Sequence, residues 1–351
     1  MITARITNKI LESILAIEQC RGGFQGNRVP PRISSRLRKN SRKKSSYSSA
    51  KIEGNPLTEE QANRAIEDEH RHFLKPEEEV RNYYRALEIL DAHLEQRTSP
   101  SMELLLEVQQ AVIAGASSEK IGLRGPMPPS VLFAVYDSAT GAPEYIPPEA
   151  SDILPLLNEL FAYVEASDDH PLVKAAVIHY QIATIHPFED GNGRTARLLS
   201  RYWLDLSGYS FGGIGSLEEY FAYDVNEYYA VLQMGLPALF YEGRENPPHP
   251  EIWIEYFLRM VTLYAQRTSE IAADAANSQT LASLSHASPK ARAFYERLTE
   301  HSVEEFTPVS MAREMGVTNR TIINWSAELA QVGLLEPRLV KQRIRSYRVV
   351  G

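Results

Sequence analysis

The chain has 351 residues with an apolar fraction of 43% and a charged fraction of 23%, which is the composition of a globular protein with two or three domains. Its formal net charge of -8 excludes a chain that coats nucleic acid or anionic membrane along its whole length, but not a local basic module. Cys20 is the only cysteine, which excludes an intrachain disulfide and a thiolate metal cluster. No apolar run is long enough to span a bilayer, and Glu12 and Glu18 interrupt the first apolar segment, which argues against a signal peptide. We therefore expect a cytoplasmic protein without a membrane association.

Residues 1–75 are predicted to form a helical region. Isoleucines at helical spacing from Ile6 to Ile17 predict a first helix that breaks at Gly22-Gly23. After the prolines Pro30-Pro31, residues 32–51 contain eight Lys or Arg and no acidic residue. Such a stretch is typical of a solvated helix face or a mobile arm, and a nucleic-acid-binding arm is the alternative.

Residues 76–240 are predicted to be mostly α-helical, because apolar residues recur at helical spacing. These helical segments cover residues 80–90, 104–113, 154–160 and 172–185. Residues 131–146 differ, since a short β-branched run, a turn-rich stretch and a second short run follow one another. This pattern predicts a β-hairpin within an otherwise all-α fold.

Residues 186–197 read His-Pro-Phe-Glu-Asp-Gly-Asn-Gly-Arg-Thr-Ala-Arg. Pro187 should end the preceding helix and leave His186 at its tip. The glycines of Gly191-Asn192-Gly193 allow a tight turn and a close approach of the backbone to a ligand. Because a helical pattern resumes directly after them, free N–H groups and the helix dipole favour an anion there.

The charged side chains of this segment predict a polyphosphate ligand. Arg194 and Arg197, three residues apart, face the same side of the helix and can bind phosphate oxygens as two guanidinium forks. Asp190 can hold Mg²⁺ that bridges phosphate oxygens, and His186 can accept a proton from an incoming hydroxyl. An ordinary turn with its arginines on a solvated face is the alternative.

This segment resembles the signature of the Fic family, His-x-Phe-x-Asp/Glu-Gly-Asn-Gly-Arg-x-x-Arg, and matches it at every defined position. The resemblance implies a mostly α-helical fold and the transfer of AMP from ATP to a Ser, Thr or Tyr of a target protein. The roles that it implies are general base for His186, Mg²⁺ ligand for Asp190, anion hole for Gly191, Asn192 and Gly193, β- and γ-phosphate binding for Arg194 and Arg197, and buried loop anchor for Phe188.

Other parts of residues 5–265 fit the same resemblance. The hairpin at 131–146 lies where the family has a flap that registers the target chain, which strand addition can hold. Arg124 and the pair Leu57-Thr58 fit the family pattern. Tyr228 and Tyr229 match a pair often found near the adenine, and two core tyrosines on a helix are the alternative.

The segment Ser-Ala-Lys-Ile-Glu-Gly at 49–54 resembles the inhibitory motif of the family. Ser49 and Glu53 are four residues apart and share one face of a helix, although a helix that merely ends at Gly54 would look the same. The resemblance implies that Glu53 pairs with Arg197 and obstructs the γ-phosphate, since a carboxylate and a phosphate compete for one guanidinium. We therefore expect autoinhibition, which Glu53→Gly should release, and a homodimer that buries this helix is compatible with it.

The last part of the chain is predicted to comprise a helix and linker at 241–288, with an Ala/Ser-rich linker near 277–288, and a small domain at 289–351. Gly316-Val317-Thr318 separates two helical patterns, as in a helix-turn-helix, with Thr318 as an N-cap. Together with a basic two-stranded wing at 337–350, this part resembles a winged-helix domain. DNA contact and a role in dimerisation or target presentation are both open. The candidate DNA-binding residues are Arg320, Asn324, Arg343 and Arg345.

The leading hypothesis is a protein adenylyltransferase that uses ATP and Mg²⁺, is autoinhibited by Glu53, and modifies an unidentified target protein or itself. The alternatives are a Fic enzyme with another nucleotide donor and a DNA-binding regulator whose Fic domain is a nucleotide sensor. The base His186 argues against a pure sensor. No Gly-x-x-x-x-Gly-Lys-Ser/Thr or His-Glu-x-x-His segment occurs, which excludes a P-loop and a zinc helix of that type. His170 should begin a helix, and His179 should pack or hydrogen-bond inside it.

Overall fold

The computed structural model describes residues 5–26, 29, 31–68, 72–115, 120–128, 130–131, 133–136, 141, 143–234, 249–301, 303–340 and 343–350. The chain divides into two compact units. The first contains Met1–Gly22 and Ser34–Ser269, and the second contains Gly23–Ile33 and Glu270–Gly351. Most of the described residues are helical, so the predicted fold class is confirmed.

The helices, in chain order, are α1 (Asn8–Gly26), α2 (Pro31–Ile52), α3 (Glu59–Glu67), α4 (Lys75–Gln96), α5 (Met102–Val112), α6 (Ala150–Ala166), α7 (Pro171–Ile185), α8 (Asn192–Leu206), α9 (Glu218–Phe221), α10 (Val225–Leu232), α11 (Pro250–Ser285), α12 (Pro289–Glu300), α13 (Pro308–Met315) and α14 (Asn319–Gln331). The strands are β1 (Val135–Tyr136), β2 (Pro143–Tyr145), β3 (Glu305–Phe306), β4 (Leu335–Val340) and β5 (Arg343–Val349).

The core of the first unit is built around α7, which is buried along almost its whole length. Its sequence is apolar on every side, as expected for a helix without a solvent-facing surface. His170 caps the start, where its Nδ1 accepts a hydrogen bond from the Leu172 N–H at 3.3 Å. α7 packs against α8 and α6. The loop between α7 and α8 therefore begins at the end of a buried helix.

The N-terminal region differs from the sequence prediction in two respects. α1 continues through Gly22 and Gly23 instead of breaking there. The basic stretch forms α2, which is mostly packed over residues 41–50, whereas Arg36, Arg38 and Lys39 are exposed, as on a solvated helix face. Lys43 is buried and pairs with Glu67, and Lys44 lies 2.5 Å from Glu219. Carboxylates of the same unit thus pair with part of the basic stretch, and the nucleic-acid arm stays a prediction.

The hairpin predicted at 131–146 is present as the antiparallel pair β1 and β2, with Val135 opposite Tyr145. Its turn, residues 137–140 and 142, lies outside the described residues. The Tyr145 hydroxyl donates to the Thr184 carbonyl at 2.6 Å. This contact fixes the base of the hairpin against the C-terminal end of α7.

Residues 277–285 form the last part of α11, where an irregular linker was expected. The Ala-rich composition that indicated a linker also has a high intrinsic helix propensity. One boundary between the compact units falls inside this helix, between Ser269 and Glu270.

The second unit contains α12, α13 and α14 with an antiparallel sheet in the order β3-β5-β4. The two helices and the turn predicted around Gly316 are α13 and α14, and the Thr318 side chain accepts from the Thr321 N–H at 3.2 Å. Arg320, Asn324 and Arg345 are exposed, whereas the side chain of Arg343 lies outside the described part. The winged-helix assignment and DNA binding stay predictions.

Candidate active site

The loop between α7 and α8 is held in shape by Asn192. Its Oδ1 accepts from the Phe188 N–H at 3.0 Å, and its Nδ2 donates to the Phe188 carbonyl at 2.8 Å. The Phe188 ring is fully buried, as expected of an anchor. Gly191 precedes the helix with φ of 87°, and a Cβ there would lie 3.0 Å from the Ile113 side chain. The loop is therefore fixed by the protein itself.

The N-terminal end of α8 presents hydrogen-bond donors that the described residues leave unused. The N–H groups of Asn192, Gly193 and Arg194 belong to the first turn of the helix and have no partner within it. Among the described side chains, Arg194 Nε and the Thr195 hydroxyl are also buried without a hydrogen-bond partner. The first-turn N–H groups of α8 fit a ligand rich in acceptor oxygens, whereas Arg194 Nε and the Thr195 hydroxyl are enclosed by the protein.

Asp190 and Arg194 form an ion pair at the edge of this loop, with Arg194 Nη2 2.7 Å from Asp190 Oδ1. No group of three or more His, Cys, Asp or Glu in the described ranges could hold a metal ion. Mg²⁺ at nucleotide sites commonly takes one or two carboxylates and completes its shell with phosphate oxygens and water. The single carboxylate of Asp190 fits Mg²⁺ that arrives with a nucleotide, and it does not fit a resident metal.

Arg197, one turn further along α8, is buried and directed at α2. Its Nε donates to Ser49 Oγ at 2.9 Å, and its Nη2 donates to the Ser49 carbonyl at 3.1 Å. The same Nη2 donates to Glu53 Oε1 at 2.7 Å. Glu53 Oε1 also lies over Gly193, so close that a Cβ at residue 193 would be 2.5 Å from it. The carboxylate thus lies at the N-terminal end of α8, over its first-turn N–H groups.

His186 ends α7 in a left-handed conformation with φ of 50°. Its Nδ1 lies 3.2 Å from the Ala183 carbonyl, which places the proton on Nδ1 and leaves the Nε2 lone pair available. Burial lowers the pKa of His186 to about 4, against the opposing effect of the Ala183 hydrogen bond. The ring is therefore neutral at pH 7, as a proton acceptor must be.

Residues 99–204 match the sequence model of the Fic/DOC family. The chain contains a Fic/DOC domain. Protein adenylyltransferase fic-1 of Caenorhabditis briggsae is 30% identical over 172 residues, which are 46% of this chain and 32% of that protein. Protein adenylyltransferase Fic of Drosophila virilis is 28% identical over 176 residues, which are 46% and 33% of the two chains. This chain thus spans about a third of the length of these curated relatives.

Solved structures extend the similarity beyond the Fic/DOC domain. A Fic family protein from Desulfovibrio desulfuricans G20 has a TM-score of 0.61 at 20% identity, covering 100% of this chain and 98% of that one. Fic-1 from Caenorhabditis elegans has a TM-score of 0.57 at 21% identity, covering 77% and 73%. At such identities the likeness establishes a shared fold.

Arg124 supports His186 in the Fic/DOC domain. Its Nε donates to the His186 carbonyl at 2.8 Å, its Nη2 donates to the Pro148 carbonyl, and its guanidinium lies over the Phe133 ring at 4.6 Å. The side chain therefore ties the base of the hairpin to the residue that ends α7.

The two tyrosines predicted near an adenine have different environments. Tyr228 is buried, and its hydroxyl contacts His179 Nε2 at 3.1 Å and Arg197 Nη1 at 3.4 Å. Tyr229 is 46% exposed, and its hydroxyl donates to the Ile52 carbonyl at 3.3 Å. Tyr228 is thus a core residue that contacts the site, and only Tyr229 offers an accessible ring.

Sequence reasoning missed several residues that hold the Fic/DOC site. Gln109 is buried, and its side chain contacts the Lys120 carbonyl, the Gly122 N–H and the Asp190 carbonyl. Ser45 accepts from Arg201 at 2.8 Å, one turn away from the Ser49–Arg197 contact. Neither contact has a local signal, because its partners are distant in sequence.

Among the described helices, none is long and apolar enough to cross a bilayer.

Proposed function

We propose that this protein transfers AMP from ATP to a Ser, Thr or Tyr hydroxyl of a target protein. The observation that carries the proposal is the position of His186, whose Nδ1 is held by the Ala183 carbonyl, on the same loop as the first-turn N–H groups of α8. A base for a hydroxyl beside a site for polyphosphate is the combination that phosphoryl-type transfer requires. The names of the curated relatives support the same activity.

In this reaction the target hydroxyl oxygen attacks the α-phosphorus of ATP and gives its proton to His186 Nε2. The bond from the α-phosphorus to the bridging oxygen breaks, and pyrophosphate leaves. The first-turn N–H groups of α8 and the side chains of Arg194 and Arg197 bind the negative charge of the phosphates. Mg²⁺ held by Asp190 together with the phosphates would neutralise part of that charge. The β1–β2 hairpin would hold the target segment by strand addition.

We further propose that Glu53 restrains this activity. Its carboxylate engages Arg197 Nη2 at 2.7 Å and lies over Gly193, where a phosphate would need both groups. A carboxylate and a phosphate at these positions repel each other and compete for the same guanidinium. Removal of the carboxylate should therefore increase productive ATP binding.

The test is label transfer from α-phosphate-labelled ATP with Mg²⁺, both in a lysate and on the purified protein. Wild type, Glu53→Gly and Glu53→Gly/His186→Ala are compared, with Glu53→Gly/Glu189→Ala as the control because Glu189 is an exposed carboxylate of the same loop. We expect label with Glu53→Gly and with the control, and none with the His186 variant. No label in any lane, with ATP binding intact by calorimetry, would overturn AMP transfer and favour a nucleotide sensor or another donor.

The alternative of a DNA-binding regulator has one supporting observation. Residues 289–351 contain ten Lys or Arg and seven Asp or Glu in a chain of net charge -8, and Arg320 and Arg345 are exposed. Fluorescence anisotropy with a labelled duplex tests it. Binding that weakens steeply with salt and is lost in Arg320→Ala/Arg345→Ala supports DNA contact, and equal binding by both proteins argues against it.

A further inference from the structure

The core of the Fic/DOC domain contains a buried histidine that the proposed reaction does not use. His179 lies in the middle of α7, seven residues before His186, and has 0% exposure. Its ring lies 4.7 Å from the Trp253 ring and is also flanked by Phe221 and Phe257. A position enclosed by aromatic rings would suit an apolar side chain, so the presence of an imidazole calls for a polar reason.

That reason is a hydrogen bond to Tyr228, whose hydroxyl lies 3.1 Å from His179 Nε2. Burial, with the charge of Arg197 as the second cause, lowers the pKa of His179 well below its ordinary value, so the ring is neutral. Arg197 Nη1 donates to the oxygen of Tyr228 at 3.4 Å. Because a guanidinium only donates, the Tyr228 oxygen accepts from Arg197. A Tyr228 O–H that donates to His179 Nε2 completes a chain from Arg197 through Tyr228 to His179, and it places the His179 proton on Nδ1, which has no hydrogen-bond partner among the described residues.

We infer that His179 is a positioning residue that acts through Tyr228 to hold the Arg197 guanidinium in place for the phosphates of ATP. The inference rests on the proposed function and deepens it. Ser49 fixes Nε and Nη2 of Arg197, and Tyr228 contacts Nη1. When Glu53 gives way to a phosphate, Ser49 and Tyr228 keep their contacts with the guanidinium. His179 fixes the Tyr228 oxygen as the acceptor in this arrangement.

The experiment is a double-mutant cycle in the Glu53→Gly background, with His179→Phe, Tyr228→Phe and the combination. Each single substitution should raise the KM for ATP by about fivefold to tenfold, the effect of one hydrogen bond, with a smaller effect on kcat. The combination should be no worse than either single change, because both break the same chain of donors. His179→Gln, whose Oε1 can accept from Tyr228, should restore most of the loss.

A purely structural role predicts different results. Phe257→Leu alters the packing around the His179 ring without touching a hydrogen bond, and should lower the Tm while leaving the KM for ATP unchanged. The positioning role would be overturned if the KM effects of His179→Phe and Tyr228→Phe multiplied in the combined variant. It would also be overturned if Phe257→Leu, at a similar loss of Tm, raised the KM for ATP as much as they do. A failure of His179→Gln to rescue in a folded protein would overturn it as well.

The outcome stays distinguishable from a failure of the proposed function. The Kd for ATP, measured by calorimetry on the same variants, does not depend on AMP transfer. A coupled loss of affinity in the absence of transfer supports the role of His179 and overturns the enzyme. Unchanged affinity in the His179→Phe and Tyr228→Phe variants, with transfer intact, overturns the role of His179 and leaves the enzyme standing.

Discussion

The carboxylate of Glu53 and the backbone of Gly193 meet at the start of α8, where a Cβ on residue 193 would lie 2.5 Å from Glu53 Oε1 and 3.3 Å from Arg197 Nη1. The carboxylate of Glu53, which is far from Gly193 in the chain, thus occupies the space in which a helix N-terminus would bind an anion. This contact connects the N-terminal region to the signature segment.

The first prediction concerns Gly193→Ala. The added methyl group collides with the carboxylate end of Glu53, which should move off buried Arg197 and lower the free energy of unfolding by about 1–3 kcal/mol through the lost hydrogen bond. In the Glu53→Gly background most of this loss should disappear. Urea denaturation of the four proteins measures it. Gly125→Ala is the control, because a Cβ there has no atom within 4 Å and its effect should be equal in both backgrounds. Equal losses for Gly193→Ala in both backgrounds would contradict the contact.

The second prediction concerns Asn192→Ala. This change leaves the N–H and the carbonyl of Phe188 without their partners, and each unpaired buried group costs about 1–3 kcal/mol. We expect a clear drop in the free energy of unfolding and a loss of ATP binding. Glu189→Ala, an exposed residue of the same loop, should stay within about 0.5 kcal/mol of wild type. Normal stability of the Asn192 variant would show that the loop does not depend on this side chain.

The third prediction concerns Arg124→Lys. A lysine cannot reach the His186 and Pro148 carbonyls together, since it lacks the planar fork of arginine. His186 should therefore lose its fixed position, and the kcat of Glu53→Gly should fall by about tenfold or more. The Kd for ATP should change little, because Arg124 is bonded to backbone carbonyls rather than to the phosphate site. A loss confined to ATP affinity would instead place Arg124 in nucleotide binding.

The fourth prediction concerns Ser45→Ala, which removes the acceptor of Arg201 on α2. Looser docking of α2 should partly release the restraint with Glu53 still in place, so transfer should rise above wild type but stay below Glu53→Gly. Ser35→Ala, an exposed serine of the same helix, should behave as wild type. Label transfer on the four proteins is the measurement, and a folded Ser45→Ala protein with no more transfer than wild type would show that this contact does not hold Glu53.

The fifth prediction concerns pH. Because the pKa of His186 is lowered to about 4, the base stays neutral well below pH 6.5, and kcat/KM of Glu53→Gly should show no histidine inflection near that value. As the pH falls, His186 takes up its proton in the unfolded chain before it does so in the folded protein. Its contribution to the free energy of unfolding is therefore complete above pH 6.5 and is lost as the pH falls towards 4.

Denaturation of wild type and His186→Asn between pH 7 and 4.5 isolates this contribution. The wild type should lose more stability over this range than the variant. Identical slopes for the two proteins, or a kcat/KM inflection close to 6.5, would show that His186 is not shifted by its surroundings.

The sequence by itself determined the local parts of the site. Pro187 ends α7, the glycines allow the tight turn, and α8 begins at Asn192, because each of these outcomes depends on backbone preferences within a few residues. The helical periodicity gave the fold class for the same reason. The resemblance to the Fic family added the side chains of this loop that we expect to bind nucleotide, and the hairpin followed from its turn-rich composition.

Only the tertiary structure decided what these residues contact. The Arg197–Glu53 pair joins residues 144 apart, and Tyr228 reaches His179 across 49 residues. Composition could not reveal which basic residues of α2 are paired, since the carboxylates that pair with Lys43 and Lys44 lie on other segments. It also could not separate the buried Tyr228 from the exposed Tyr229. Burial and pairing depend on which surfaces meet when the chain folds, and periodicity within one helix carries no information about its partner.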